Sequence, residues 1–191
     1  MNTGKPVELP PEAELIRRLR ADDESALELL VAAYWLRLER FVDGILDGEG
    51  SADDIVQEAF IRLWTRRHEL KFEGSFKAFL FTLTRNAAID ERRRAGRRSG
   101  LSAQVDPPAS EPSPLAAAEA AQLREIAETA VERLPPRRRE AFRLARNEGL
   151  SYMEIAEVLG LSTQTVANQM SKALSELHEV LDRSFTNEEE Q

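Results

Sequence analysis

The stretch GLSYMEIAEVLGLSTQTVANQMSKAL, Gly149–Leu174, decides how the rest of the chain is read. Ser151 followed by Glu154 is a capping box, in which each side chain satisfies a backbone amide of the other's residue at a helix start. Ile155, Ala156 and Leu159 give that helix an inner face, with a small residue where a second helix must cross closely. Gly160 supplies a left-handed turn and Ser162 caps the next helix. On that second helix Val166, Met170, Ala173 and Leu174 are expected inward. Ser162 and the outward Thr163, Gln164, Thr165, Asn168, Gln169 and Lys172 carry donors and acceptors suited to base edges in a major groove. The reading is a helix-turn-helix over 151–174, against the plain alternative of a helical hairpin with a solvated face.

Upstream, LPPRRREAFRLARNEGLS starts a helix at its prolines and loads it with arginines. Arg137 and Arg139 are the candidates for phosphates beside the groove, although arginine runs on helices are often only solvated faces.

A DNA reader sits oddly in a chain of 191 residues with formal net charge -8, until the charges are located. Residues 1–60 carry net -8, residues 61–100 net +7, residues 101–130 net -4, residues 131–150 net +3, and residues 151–191 net -6. Phosphate attraction acts over about one Debye length, ~8 Å at physiological salt, so two basic islands matter more than the sum. Cysteine is absent and the two histidines, His68 and His178, lie far apart, so no disulfide, metal or cofactor is expected. No run approaches the ~20 apolar residues of a membrane helix. A cytoplasmic protein without membrane insertion is expected.

The pattern elsewhere is helical throughout. Leu27, Val31, Tyr34, Leu38, Phe41 and Ile45 form a stripe, with Asp22 or Asp23 as cap. Ser51 and Ser75, each after a glycine, cap two further helices. Period-2 alternation is missing, so the fold class is all-α, two small helical domains joined by a flexible linker. The boundaries are a disordered N-terminus at 1–11, a first domain at 12–98, a Pro- and Ser-rich linker at 99–115, a second domain at 116–184, and an acidic tail at 185–191.

In SADDIVQEAFIRLW, residues 51–64, Asp54, Gln57, Glu58 and Ile61 share one helix face, opposite Ile55, Ala59, Phe60 and Leu63. Such an acidic and amide surface suits a basic partner helix better than DNA. The next helix, SFKAFLFTLTRNAAIDERRRAGRR, passes from aromatics to amides to arginines, a composition suited to single-stranded nucleic acid. Phe76 and Phe79 read as core; Phe81 is left open between core and base contact.

With these motifs in order, the chain resembles bacterial RNA polymerase sigma factors of the extracytoplasmic-function (ECF) group. DIVQEAFIRLW is similar to that family's conserved second-region helix, FKAFLFTLTRNAAIDERRR to its minus-ten recognition segment, and LPPRRREAFRLARNEGLSYMEIAEVLGLSTQTVANQMSKAL to its fourth region. The resemblance implies an initiation factor, not an enzyme. Asp54, Gln57, Glu58 and Ile61 would bind the clamp coiled coil of core RNA polymerase. Phe81, Arg85, Asn86, Asp90, Arg93, Arg94 and Arg97 would open and hold the minus-ten promoter DNA. Arg137, Arg139, Ser162, Thr163, Gln164, Thr165, Asn168, Gln169 and Lys172 would serve the minus-thirty-five element, and the second domain would also touch the polymerase flap. TVANQMSKAL is similar to the iron-citrate-type subgroup, which implies an anti-sigma factor, membrane-anchored in that subgroup. Many members carry Trp at the position of Phe79, Tyr at that of Phe81, and Lys, Ser and Arg where Ala167, Asn168 and Gln169 stand here. Asn and Gln suggest an adenine-containing minus-thirty-five box. The rival readings are a stand-alone helix-turn-helix regulator and a sigma-like decoy that sequesters an anti-sigma protein.

Overall fold

The computed structural model describes residues 9–46, 50–70, 74–98 and 125–188. The chain divides into two compact units, Met1–Val105 and Asp106–Gln191. The expected linker at 99–115 lies outside the described residues, as do residues 1–8 of the N-terminus and 189–191 of the tail.

The first unit holds α1 (Glu12–Arg20), α2 (Glu24–Leu46), α3 (Ala52–Thr65), a short 3-10 turn at Arg67–Glu69, and α4 (Phe76–Arg98). Of the two candidate caps for α2, Asp23 takes the role: its carboxylate accepts from the Ser25 amide at 3.0 Å. Asp22 instead adopts φ 60° and ends α1 in the left-handed region, where glycine is commoner. Its carboxylate receives Arg67 Nε at 2.5 Å and lies 3.1 Å from His68 Nε2. Ser51 and Ser75 cap α3 and α4 as their sequence context requires, accepting from Asp54 N at 3.2 Å and Ala78 N at 3.3 Å.

Leu15, Leu19, Leu30, Leu38, Val42, Val56, Leu63, Phe76, Leu80 and Phe81 fill the core of this unit. Each such side chain gains roughly 1.5–3 kcal/mol from leaving water, and this burial sets where the exposed faces point. The stripe on α2 differs from expectation: Ala26 and Leu30 are fully buried, whereas Leu27 and Val31 are half-buried. The helix packs on α1, α3 and α4 together, so its buried sector is wider than one stripe and admits a small residue at the closest approach.

The second unit holds α5 (residues 125–132), α6 (Pro136–Arg146), α7 (Tyr152–Leu159) and α8 (Thr163–Glu188). Helix α8 runs through residues 185–188, which were expected to belong to the tail. Ala130, Leu134, Ala173 and Leu177 form one cluster, flanked by Val131, Phe142 and Val180. The seam on α8 runs Val166, Met170, Ala173, Leu177, and Leu174, expected inward, is 54% exposed. The steps of four, three and four keep the seam on one line, and Leu174 falls off it by one residue.

Candidate nucleic-acid interface

The turn between α7 and α8 is built as its residues dictate. Ser151 Oγ accepts from Glu154 N at 3.3 Å, and the Glu154 carboxylate accepts from Ser151 N at 2.7 Å, completing the capping box. Gly160 sits at φ 64°, ψ 41°, and Leu161 N returns to Ala156 O at 2.9 Å, which ends α7 in a Schellman-type turn. A side chain at Gly160 would meet no neighbour, so the requirement there is the backbone angle rather than space. Ser162 then caps α8, its Oγ accepting from Thr165 N at 3.1 Å and lying 2.8 Å from Thr165 Oγ1. This tight turn holds α7 and α8 at a fixed angle around Ile155, Val158 and Val166.

Thr163, Gln164, Asn168 and Lys172 are exposed on α8, and Gln164 Nε2 donates to Asn168 Oδ1 at 3.1 Å. Thr165 and Gln169 are half-buried. Gln169 therefore does not point freely outward, because its Oε1 accepts from Arg138 Nε at 3.3 Å. Arg138 also pairs with Glu176, one face-length along α8 from Gln169.

Of the arginines on α6, Arg137 is exposed. Arg139 does not match the expectation of an outward phosphate contact. Its side chain is 19% exposed, its guanidinium pairs with Glu132 at 2.8 Å, and its Nε is buried without an acceptor. Arg143 pairs with the same carboxylate. Glu132 thus ties α6 to the end of α5, and these two cations are held within the fold.

In the first unit, Asp54, Gln57, Glu58 and Ile61 are all exposed on α3, opposite buried Ile55, Val56, Ala59, Phe60 and Leu63. Glu58 is partly neutralised by Arg62 at 2.5 Å. Ile61, 57% exposed, is the apolar member of an otherwise polar face. The opposite side is fixed by Phe60, whose ring stacks on Trp35 at 5.9 Å.

On α4 the expectation for Phe81 is corrected. Its side chain is 0% exposed and packs edge-on against Phe41, ring centroids 5.1 Å apart, so no face is available to a base. Phe79, expected as core, is half-buried. Thr84 is buried with its hydroxyl donating to Leu80 O at 2.9 Å. Asn86 and Asp90 are exposed, Arg85 is half-buried, and Arg93 and Arg94 are exposed. Asp90 lies 3.8 Å from Arg93, and Glu91 3.5 Å from Arg94. The side chain of Arg97 lies outside the described residues.

Two positioning residues escape a sequence reading. Glu12 caps α4 from 64 residues away, accepting from Phe76 N at 2.9 Å, and Arg92 Nη1 donates to Ile45 O at 3.2 Å. Neither partner is local, so no periodic pattern marks them.

Two family models match the chain, Sigma-70 region 2 over residues 30–98 and Sigma-70, region 4 over residues 124–177. Together they take in more than half of it, one in each structural unit. The chain belongs to the sigma-70 family. The ECF RNA polymerase sigma factor SigE of Mycolicibacterium smegmatis is 31% identical over 80% of this chain and 60% of its own length. The ECF RNA polymerase sigma-E factor of Escherichia coli K12 is 29% identical over 83% of this chain and 88% of its own. This sigma factor thus spans about three fifths of the first relative and most of the second. Among solved structures it is similar to the sigma factor RpoE in complex with the anti-sigma factor NepR from Bartonella quintana. The TM-score is 0.62 at 25% identity, covering 84% of this chain and 97% of that one. No helix among the described residues is long and apolar enough to cross a membrane.

Proposed function

We propose that this sigma factor binds core RNA polymerase, directs it to promoters by reading minus-thirty-five and minus-ten elements, and promotes melting at the start site. The observation that carries this reading is the pairing of a region 2 unit and a region 4 unit on one chain, each with an exposed polar face set by its core. The face of Asp54, Gln57, Glu58 and Ile61 takes the polymerase clamp coiled coil. Its carboxylates meet basic side chains, and Ile61 gives the contact an apolar centre.

Helix α4 supplies the minus-ten contacts through Asn86, Asp90, Arg85, Arg93, Arg94 and Arg97. The amide and carboxylate address an extruded base edge while the arginines hold the backbone. Phe81 supports this helix from below. The first half of α8, with Ser162 as its cap, the exposed Thr163, Gln164, Asn168 and Lys172 and the half-buried Thr165 and Gln169, enters the major groove of the minus-thirty-five element, with Arg137 on a flanking phosphate.

The chain contributes binding free energy rather than a chemical step. Two weak DNA sites joined by a chain and fixed on polymerase gain affinity through effective concentration. Acidic residues elsewhere suppress binding by the free protein. An anti-sigma factor is the second partner, supported by the likeness to a sigma factor seen bound to one.

The α3 face is tested by competition for core polymerase against a labelled sigma factor. The Asp54→Lys, Glu58→Lys double variant should lose affinity by about tenfold or more with an unchanged melting temperature. Undiminished affinity would remove this face from the interface.

A further inference from the structure

We infer that Arg138 is a specificity-positioning residue, which fixes the side-chain amide of Gln169 so that its donor end addresses the minus-thirty-five box. The inference rests on the promoter-reading role proposed above and adds a determinant on a different helix. Arg138 lies near the start of α6, and its side chain is 14% exposed. Its Nε donates to Gln169 Oε1 at 3.3 Å while its Nη1 is held by Glu176.

A glutamine amide can ordinarily turn over, exchanging its oxygen for its NH2 group. A guanidinium removes that freedom, because it has five donors and no acceptor. Facing Arg138, Gln169 must present its oxygen inward and its NH2 group away. Glu176 makes the constraint firm by anchoring the guanidinium from the same flank of α8, seven residues from Gln169. The charge on Arg138 is thereby offset within the fold, which leaves it poorly placed to act as a phosphate contact.

An amide held this way offers donors to the groove. Bidentate adenine recognition needs one donor and one acceptor, whereas guanine shows two adjacent acceptors, N7 and O6. Gln169 in this setting therefore favours guanine over adenine at the base pair it meets, in contrast to the adenine preference that residue type alone suggests.

The test is promoter selection by holoenzyme, formed from the full chain and bacterial core polymerase, on a library with a randomised minus-thirty-five box. Gln169→Ala identifies the pair that Gln169 reads, as the one whose preference it erases. Arg138→Ala should lower guanine-over-adenine discrimination at that same pair by about fivefold, the worth of one neutral hydrogen bond, and leave the other pairs unchanged. Arg138→Lys, still a donor without an acceptor, should retain the preference. In the Gln169→Ala background, Arg138→Ala should change nothing further. Should Arg138→Ala fail to fold, Glu176→Gln, which loosens the anchor, should shift the same pair in the same direction. The inference is overturned if Arg138→Ala or Glu176→Gln keeps full discrimination there, or weakens all boxes equally. It also falls if Gln169→Ala alters no pair while wild-type holoenzyme still selects a box. A wild-type holoenzyme that selects no box would instead remove the promoter-reading role itself.

Discussion

The ring of Phe81 stands edge-on against the ring of Phe41, 5.1 Å between centroids, and joins α4 to α2 across the core of the first unit. The residue therefore supports α4 from within the core and leaves no ring face for DNA. Phe81→Ala should cost about 3–5 kcal/mol of unfolding free energy, the range for emptying a packed aromatic site. Chemical denaturation of the variant and of Phe79→Ala checks this, with the half-buried Phe79 costing less.

The α6 arginines should separate by role. Arg137→Ala should reduce the slope of log affinity against log salt for promoter DNA by about one, as expected when one phosphate contact is lost. Arg139→Ala should leave that slope unchanged and lower the melting temperature, because it strips Glu132 of a partner. Holoenzyme binding titrations at several salt concentrations, with thermal melts alongside, give both readings.

The two ends of α7 offer a local measure of how firmly the helix pair α7 and α8 is built. Ser151→Ala removes the capping hydroxyl, and about 1 kcal/mol of stability should go with it. Gly160→Ala keeps the space but forces a side chain into the left-handed region, so it should also destabilise. Denaturant midpoints of the two variants measure these effects.

Acid should act through Asp23 at the junction of α1 and α2. The Ser25 hydroxyl, and then Arg18, hold its carboxyl down at about 2. A folded pKa below the unfolded one, near 3.9, adds stability that is full above the unfolded value and disappears as pH falls through the folded one. Asp23→Asn should therefore flatten the fall in stability between about pH 4 and pH 2. Because the group is exposed, added salt should shrink the difference.

Much of this was legible in the sequence because it rests on local rules. The caps Ser51, Ser75, Ser151 and Ser162, the turn at Gly160 and the polar face of α3 each depend on residues within a turn or two. What was misread depends on distant partners. Arg139 and Arg137 look alike in RRR until Glu132 takes one of them, and Gln169 looks outward until Arg138 reaches it from 31 positions away. Phe79 and Phe81 are two residues apart, and helical periodicity reads the first as core and leaves the second open, whereas α4 packs against both α2 and α3 and buries Phe81 the deeper. Leu174 shows the same limit, one residue off a seam set by α5, the turn after it and α6.

The most direct test of the central claim is single-round transcription from a genomic fragment library by purified bacterial core polymerase, with and without the full chain, read by sequencing 5′ ends. The account predicts discrete new start sites, each preceded by two shared sequence boxes at constant spacing. Duplex DNA binding without polymerase, together with no new start sites, would contradict it and identify a stand-alone regulator instead.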